Sequence, residues 1–232
     1  MRPVAAVLAL LAMAGPADAE DAAISTRQRV DIAAKPWTAV GQVNTEAYTR
    51  CTGVLVGRQL AVTAAHCLFN RATGRFLAPT SVHFVLGYDR GRYAFQTVAR
   101  GIRMDPAQEG ERTFQAAPRD WALLDLAEPA PTSIEPMPLA ADLPTAGEAF
   151  FAAGFGRDRA FALTVAADCR MLAAPDARLI AASCGIIQGY SGGPMVDADG
   201  RLLGISVATA RVGDRDVALA VPVSAWREEL GR

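Results

Sequence analysis

The sequence predicts an all-β protein. Ten short segments, apolar or alternating and rich in Val, Phe, Leu and Thr, are separated by turns that contain Gly, Pro or Asp. Strands do not alternate regularly with helical patterns, which disfavours a doubly wound α/β sheet. The predicted strands are Trp37–Val43, Cys51–Val56, Leu60–Ala64, Val82–Leu86, Phe95–Ile102, Ala122–Leu126, Ala149–Phe155, Phe161–Ala166, Leu202–Ala208 and Val217–Val221.

The composition is that of an ordinary globular protein with a sizeable core. Of 232 residues, 51% are hydrophobic and 20% are charged, which excludes disordered, collagen-like and low-complexity classes. The formal net charge is −1, so no net basic field indicates nucleic-acid binding. No Lys-rich tract indicates an anionic membrane surface. We therefore expect neither nucleic acid nor membrane as a partner.

Residues 1–19 have the three parts of a secretory signal peptide. Arg2 is the charged start, Val4–Ala14 is an apolar run, and Ala17-Asp18-Ala19 is a small-residue cleavage site. The apolar run falls short of the ~17–25 residues that span a bilayer, although an uncleaved N-terminal anchor is the alternative. We expect a secreted or periplasmic protein, in which four Cys form disulfides rather than a four-thiolate metal site.

The rest of the chain divides into an N-terminal segment and two halves. Residues 20–29 are polar without a clear period and are predicted to be a short propeptide or an N-terminal arm, so the folded part should begin near Val30. Residues 128–138 hold four Pro, too many for a strand or helix. This crossing separates two halves, 30–135 and 136–232, each large enough for a small barrel. In the second half, Ser224–Leu230 is predicted to be a short C-terminal helix.

The string Gly189-Tyr190-Ser191-Gly192-Gly193-Pro194 suits a nucleophile on a tight turn. Glycines adopt backbone angles that expose neighbouring N–H groups and let a substrate carbonyl approach the main chain. An ordinary turn is the alternative. The string also matches the nucleophile elbow of α/β-hydrolases, but that fold places its His after the Ser, and both His of this chain precede Ser191.

A Ser nucleophile needs a base and a carboxylate behind that base. His66 ends an apolar strand in Thr63-Ala-Ala-His66-Cys67 and is the candidate base, although it could simply adjoin a structural disulfide. His83 lies in an alternating strand and is predicted to be structural or on the surface. Asp120 opens the apolar strand up to Asp125 and is the candidate carboxylate, with a strand-end turn residue as the alternative.

These three motifs, in the order His, Asp, Ser, resemble the trypsin-like (chymotrypsin-fold) serine proteases, over roughly residues 37–226. The compact length and few Cys are most similar to the bacterial branch that includes the V8-like glutamyl endopeptidases. The resemblance implies two antiparallel β-barrels with the active site between them. His66 and Asp120 would come from the first barrel and Ser191 from the second.

The resemblance also implies a mechanism. His66 would take the proton of Ser191 as Ser191 attacks a peptide or ester carbonyl, Asp120 would orient His66, and the N–H groups of Gly189 and Ser191 would form the oxyanion hole. Such an enzyme needs no metal or organic cofactor. Its partner would be a protein or peptide substrate, and we expect a monomer. A catalytically inactive homologue that acts as a binding or scaffolding protein is the alternative.

The family resemblance further implies the Cys pairing and reveals one departure. Cys51 would pair with Cys67, next to the base, and Cys169 with Cys184, one of three connectivities that four Cys allow. Where the family often has an acid before the nucleophile, which pairs with a newly freed N-terminal amine, this chain has Tyr190. We therefore expect a preformed site rather than that activation switch, with inhibition by a propeptide, residues 20–29, through another route as the alternative.

The residues expected to line the substrate pocket are Gly185, Ile186, Ser206 and Thr209. Gly185 stands where enzymes that cut after Arg or Lys carry an acid, and Ser206 stands where the glutamate-specific members carry a His. The sequence therefore predicts a shallow, mostly apolar pocket for small side chains. Arg211 is a remote candidate for contact with an acidic side chain of the substrate.

Overall fold

The fold is described from a computed structural model over residues 27–110, 113–174 and 177–231. The predicted signal peptide, residues 1–19, and residues 20–26 of the predicted propeptide or arm lie outside the described residues. Within the described residues, no helix has the length and apolar character needed to cross a membrane.

Short antiparallel strands joined by turns build the described chain. They are β1 Arg27–Arg29, β2 Val40–Thr45, β3 Arg50–Gly57, β4 Leu60–Thr63, β5 Phe69–Asn70, β6 Arg75–Phe76, β7 Val82–Leu86, β8 Phe95–Met104, β9 Ala122–Leu126, β10 Ala149–Gly154, β11 Thr164–Ala173, β12 Ile180–Ser183, β13 Pro194–Val196, β14 Leu202–Val212 and β15 Arg215–Pro222.

The first barrel closes through six strands in the order β2-β3-β4-β9-β8-β7. Strand β7 illustrates how the sequence pattern builds it, because Val82, Phe84 and Leu86 are buried while His83 between them is exposed. The hairpin of β5 and β6 follows the 3₁₀ helix Ala65–Leu68 and stands outside the barrel.

The second barrel closes through β11-β10-β13-β14-β15-β12, since β12 pairs with β11 as well as with β15. Strand β1 adds to the first half of β11, where Arg27 lies opposite Ala166 and Arg29 lies opposite Thr164. The all-β class with two closed six-stranded barrels is confirmed. The position of β1 corrects the expected start near Val30, because residues 27–29 supply backbone partners to β11 and belong to the fold.

Each of the ten predicted segments overlaps a strand, but five strands of the described chain were not predicted. These are β1, β5, β6, β12 and β13, all four residues long or shorter. The predicted segment Trp37–Val43 begins with a 3₁₀ turn, Trp37–Ala39, and its strand starts at Val40. Short strands carry too few alternating residues to be recognised in one sequence.

The proline-rich segment 128–138 lies between β9, the last strand of the first barrel, and β10 in the second. It packs along the first barrel, since Ala130 and Met137 donate backbone hydrogen bonds to the carbonyls of Arg58 and Leu55. The expected C-terminal helix is not confirmed. Two short 3₁₀ helices, Val223–Ala225 and Arg227–Gly231, flank Trp226. The side chain of Trp226 is fully buried, and its backbone, with φ of −134°, is not helical.

Candidate active site

His66 and Asp120 are joined by two hydrogen bonds. His66 lies in the 3₁₀ helix after β4, and Asp120 lies two residues before β9, which pairs with β4. Nδ1 of His66 is 2.6 Å from Oδ2 of Asp120, and the backbone N–H of His66 donates to Oδ1 at 2.8 Å. Both side chains are 7% exposed. A carboxylate in this position favours the tautomer with the proton on Nδ1, which leaves Nε2 as an acceptor.

Ser191 and His66 line the same cleft between the barrels, with Gly189 beside them. Neither Nε2 of His66 nor Oγ of Ser191 has a hydrogen-bond partner among the described residues. The Ser191 hydroxyl can rotate about its Cα–Cβ bond, and catalytic hydrogen bonds in the free state of enzymes are often longer than in the substrate complex. The structure thus brings together the base and the nucleophile expected from the sequence.

The loop of Ser191 has a backbone that only glycine accommodates easily. Gly189 has φ of +103° and Gly192 has φ of +78°. A Cβ atom at Gly192 would lie 2.2 Å from the carbonyl oxygen of Thr52, and one at Gly189 would lie 2.2 Å from that of Phe155. Gly192 therefore allows the serine loop to approach the first barrel closely, and Gly189 allows it to pack against the segment after β10 in its own barrel.

Two backbone N–H groups at the cleft have no acceptor among the described residues. The carbonyl of Gln188 accepts a hydrogen bond from Arg157 N–H at 2.8 Å, and the carbonyl of Tyr190 accepts one from Gly193 N–H at 2.7 Å. In a trans peptide, the N–H of the next residue points opposite to the carbonyl. The N–H groups of Gly189 and Ser191 therefore face away from these bonds, and no described group accepts from them. Two neighbouring donors without an acceptor can bind an oxyanion.

Thr52 connects the two barrels at this site, a role that the sequence patterns did not predict. Its N–H donates to the carbonyl of Ser191 at 2.9 Å, and its hydroxyl donates to the carbonyl of Gly189 at 2.8 Å. The same hydroxyl accepts from the N–H of Phe155 at 3.0 Å, and Thr52 is fully buried. The only signal in the sequence is its place beside Cys51, which does not distinguish it from any other buried Thr.

Tyr190, which stands where the family often has an acid, is fully buried. Its hydroxyl lies 2.7 Å from Oγ1 of Thr164 and donates to the carbonyl of Thr164 at 3.1 Å. Burial raises the pKa of Tyr190 to about 12, an effect that the Thr164 hydrogen bond and the charge of Arg27 partly oppose. The neutral phenol thus fills its position with satisfied hydrogen bonds and needs no counter-charge.

A buried arginine supports the segment that orients Gly189. Arg27 of β1 is 6% exposed, and its Nη2 lies 3.2 Å from Oδ2 of Asp158, which is 39% exposed. Asp158 belongs to the 3₁₀ helix Arg157–Arg159, and Arg159 donates to the carbonyl of Arg27. The N–H of Arg157 holds the carbonyl of Gln188. Strand β1 is therefore linked through this helix to one donor of the candidate oxyanion hole.

The disulfides have the pairing expected from the resemblance, Cys51 with Cys67 and Cys169 with Cys184. The first lies beside the candidate base. Ligand atoms of Cys51, His66 and Cys67 lie within 4.8 Å of one another. The two sulfurs are bonded to each other, however, and offer no thiolate to a metal.

The four residues predicted to form the substrate pocket do not line the cleft at Ser191. The side chain of Ile186 packs into the apolar core of the second barrel, and Ser206 is buried behind the serine loop, where its backbone pairs with Gly192 and Gly193. Thr209 lines a separate recess beside Asp120. Gly185, before Ile186, lines neither cavity. The substrate pocket therefore stays a prediction without a cavity to support it.

Two further candidate residues also lie away from the cleft. His83 is exposed on β7, opposite Asn44 and Val98, as its alternating pattern predicts. Arg211 lies 3.9 Å from Asp216 across the hairpin of β14 and β15.

Residues 51–205, well over half of the chain, match the trypsin-like peptidase domain. The chain belongs to the trypsin-like peptidase family. This assignment confirms the resemblance inferred from the sequence motifs.

Solved structures share the fold of this peptidase-family protein. A Glu endopeptidase in complex with MPD matches with a TM-score of 0.75 at 15% identity, covering 89% of this chain and 97% of that chain. Human heparin binding protein matches with a TM-score of 0.68 at 21% identity, covering 88% and 94%. At these identities the likeness shows the fold alone. Among curated proteins, none matches the sequence significantly.

The hydroxyl of Thr52 should contribute measurably to stability. Thr52→Val removes the partner of two buried backbone groups, so we expect the free energy of unfolding to fall by about 2–4 kcal/mol in denaturant titrations. Thr52→Ser keeps the hydroxyl and loses one methyl group, so its loss should be about 1 kcal/mol. Equal losses in the two variants would contradict the bridging role.

The two arginines of β1 should differ in their contributions. Arg27→Gln removes a buried cation from Asp158 and should lower the free energy of unfolding by about 1–2 kcal/mol, because Asp158 is partly solvated. Arg29, whose side chain is 46% exposed beside Asp89, is the matched control, and Arg29→Gln should cost under about 0.5 kcal/mol. Thermal or denaturant unfolding measures both, and a larger loss in the Arg29 variant would contradict the prediction.

Stability should fall at alkaline pH because of Tyr190. Below pH ~10 its phenol is protonated in both the folded and unfolded states, whereas between about pH 10 and 12 only the unfolded state ionises freely. The free energy of unfolding should therefore decrease by about 2–3 kcal/mol over this window. Tyr190→Phe lacks this ionisable group, so the difference in free energy of unfolding between the wild type and the variant should change from pH 9 to pH 12. A constant difference would refute the assignment.

Proposed function

We propose that this member of the trypsin-like peptidase family is a secreted or periplasmic serine endopeptidase. The observation that carries the proposal is the 2.6 Å contact between Nδ1 of His66 and Oδ2 of Asp120, which leaves Nε2 unpaired in the cleft that Ser191 lines. The family membership and two disulfides fit this function. The substrate is a protein or peptide.

The chemistry follows from the roles of the three side chains. As the hydroxyl of Ser191 turns toward His66, Nε2 takes its proton and Oγ attacks the substrate carbonyl carbon. Asp120 stabilises the imidazolium that forms, because both of its oxygens already accept hydrogen bonds from His66. The imidazolium then protonates the leaving amine, and water hydrolyses the acyl-enzyme by the same base.

The N–H groups of Gly189 and Ser191 would bind the negative oxygen of the tetrahedral intermediate. Their orientation is fixed by bonds on the opposite side of each peptide, to Arg157 and Gly193, so no rearrangement is needed when the charge develops. This supports a preformed site, in which Tyr190 replaces the acid of the activation switch. We propose that the protein needs no newly freed amine for activity.

Labelling with a fluorophosphonate probe tests the proposal. The probe should label the wild-type protein, and Ser191→Ala should abolish the labelling. His66→Ala should slow labelling and peptide hydrolysis by about 10³-fold or more, because the nucleophile loses its base. His83→Ala is the matched control and should retain the wild-type rate, since His83 is exposed on β7.

Circular dichroism establishes that each variant is folded. A well-folded wild-type protein that the probe leaves unlabelled would contradict the enzymatic function and favour the binding or scaffolding alternative.

A further inference from the structure

The cleft at Ser191 has a strongly basic lining. It has a volume of about 590 Å³, and its residues include Arg50, Arg71 and Arg157 but no Asp or Glu. The three come from separate elements: the start of β3, the turn between β5 and β6, and the 3₁₀ helix Arg157–Arg159. The chain as a whole has a net charge of −1, so this concentration of positive charge is local to the cleft.

These arginines are not used in ion pairs among the described residues. Arg50 stacks over the ring of Phe161 at 5.9 Å, and Arg157 donates to the side-chain amide oxygen of Gln188 at 3.2 Å. All three are exposed. Five arginines outside the cleft, Arg27, Arg29, Arg103, Arg201 and Arg211, do lie within 4.0 Å of a carboxylate. The cleft therefore keeps its guanidinium groups available for a ligand.

The proposed mechanism assigns the cleft to the leaving-group side of the scissile bond. In the proposed mechanism, the leaving nitrogen must lie against His66, which protonates it. The cleft includes Cys67 and Phe69–Ala72 beside His66, whereas Asp120 lines a separate recess. The acyl portion of the substrate would have to leave Ser191 in the other direction. Residues on the C-terminal side of the cut would thus meet the three arginines.

Guanidinium groups select carboxylates through charge and paired hydrogen bonds. We propose that this cleft binds acidic side chains of the substrate within about three residues after the cut, a specificity that rests on the proposed endopeptidase function. Exposed pairs contribute modestly, so two or three of them together should favour a Glu substrate over its Gln counterpart by about tenfold in kcat/KM. Added salt should reduce this preference because the arginines are exposed.

The first experiment is cleavage of a proteome-derived peptide library by the full secreted chain, with the residues on both sides of every cut read by mass spectrometry. We expect Asp and Glu to be enriched about threefold or more at positions after the cut. This readout does not depend on knowing the preference at the residue before the cut. Absence of any enrichment at these positions would overturn the inference.

The second experiment measures quenched fluorescent peptides that share a cleavable sequence and differ only in Glu or Gln after the cut. The wild-type ratio of kcat/KM should be about ten, and in the double variant Arg50→Gln, Arg71→Gln it should fall to between one and three. Arg75→Gln is the matched control, because Arg75 is exposed on the same hairpin as Arg71 without lining the cleft. It should keep the wild-type ratio.

The outcomes separate the inference from the function on which it rests. A wild-type ratio near one, in a protein that the fluorophosphonate probe labels, overturns the acidic preference alone. The Glu-to-Gln ratio of kcat/KM could also be near one while heparin inhibits the cleavage of both peptides equally. This result would assign the arginines to polyanion binding and would also overturn the acidic preference. If the folded protein is not labelled by the probe and cleaves no peptide, the endopeptidase function is overturned, and the inference falls with it.

Discussion

The hydrogen bonds of Thr52 hold the serine loop of one barrel against the wall of the other. A nucleophile from the second barrel can use a base from the first only if the two barrels keep a fixed distance and orientation. Thr52 provides this by binding the carbonyls of Ser191 and Gly189 and the N–H of Phe155, all in a fully buried position. Buried hydrogen bonds of this kind are costly to break, because each orphaned group loses its solvation as well.

Support for the site continues outward from the loop to the edge of the second barrel. The backbone of Arg157 fixes the peptide before Gly189, and the helix that contains Arg157 is tied to β1 by the pair of Asp158 and Arg27. Tyr190 is anchored to β11 through Thr164. A charge-based activation switch would need an unpaired acid near the loop. Here Tyr190 is neutral, and Asp158 is paired with Arg27. This arrangement is consistent with a site that is ready without proteolytic activation.

The sequence was sufficient for the fold class and for the contact between His66 and Asp120, because strong local patterns specify both. Strand alternation predicted ten segments that contain strands, and residue type and position singled out His66, Asp120 and Ser191. Thr52 and Arg27 could not be found in this way, since their importance arises from partners more than 100 residues away in the chain. None of the residues expected in the substrate pocket lines the cleft at Ser191. Ile186 is apolar, and its side chain is buried in the core of the second barrel instead of lining a pocket.

The position of β1 limits where an N-terminal cut could fall without loss of the described fold. A cut downstream of Arg29 would remove the partners that β1 gives to the first half of β11, which would then pair with β10 alone, and would leave Asp158 without its guanidinium. Maturation that preserves the described fold therefore has to end upstream of Arg27. A recombinant version for crystallisation or assay should retain Arg27 and the two residues after it, since trimming to Val30 would remove a strand rather than a dispensable leader.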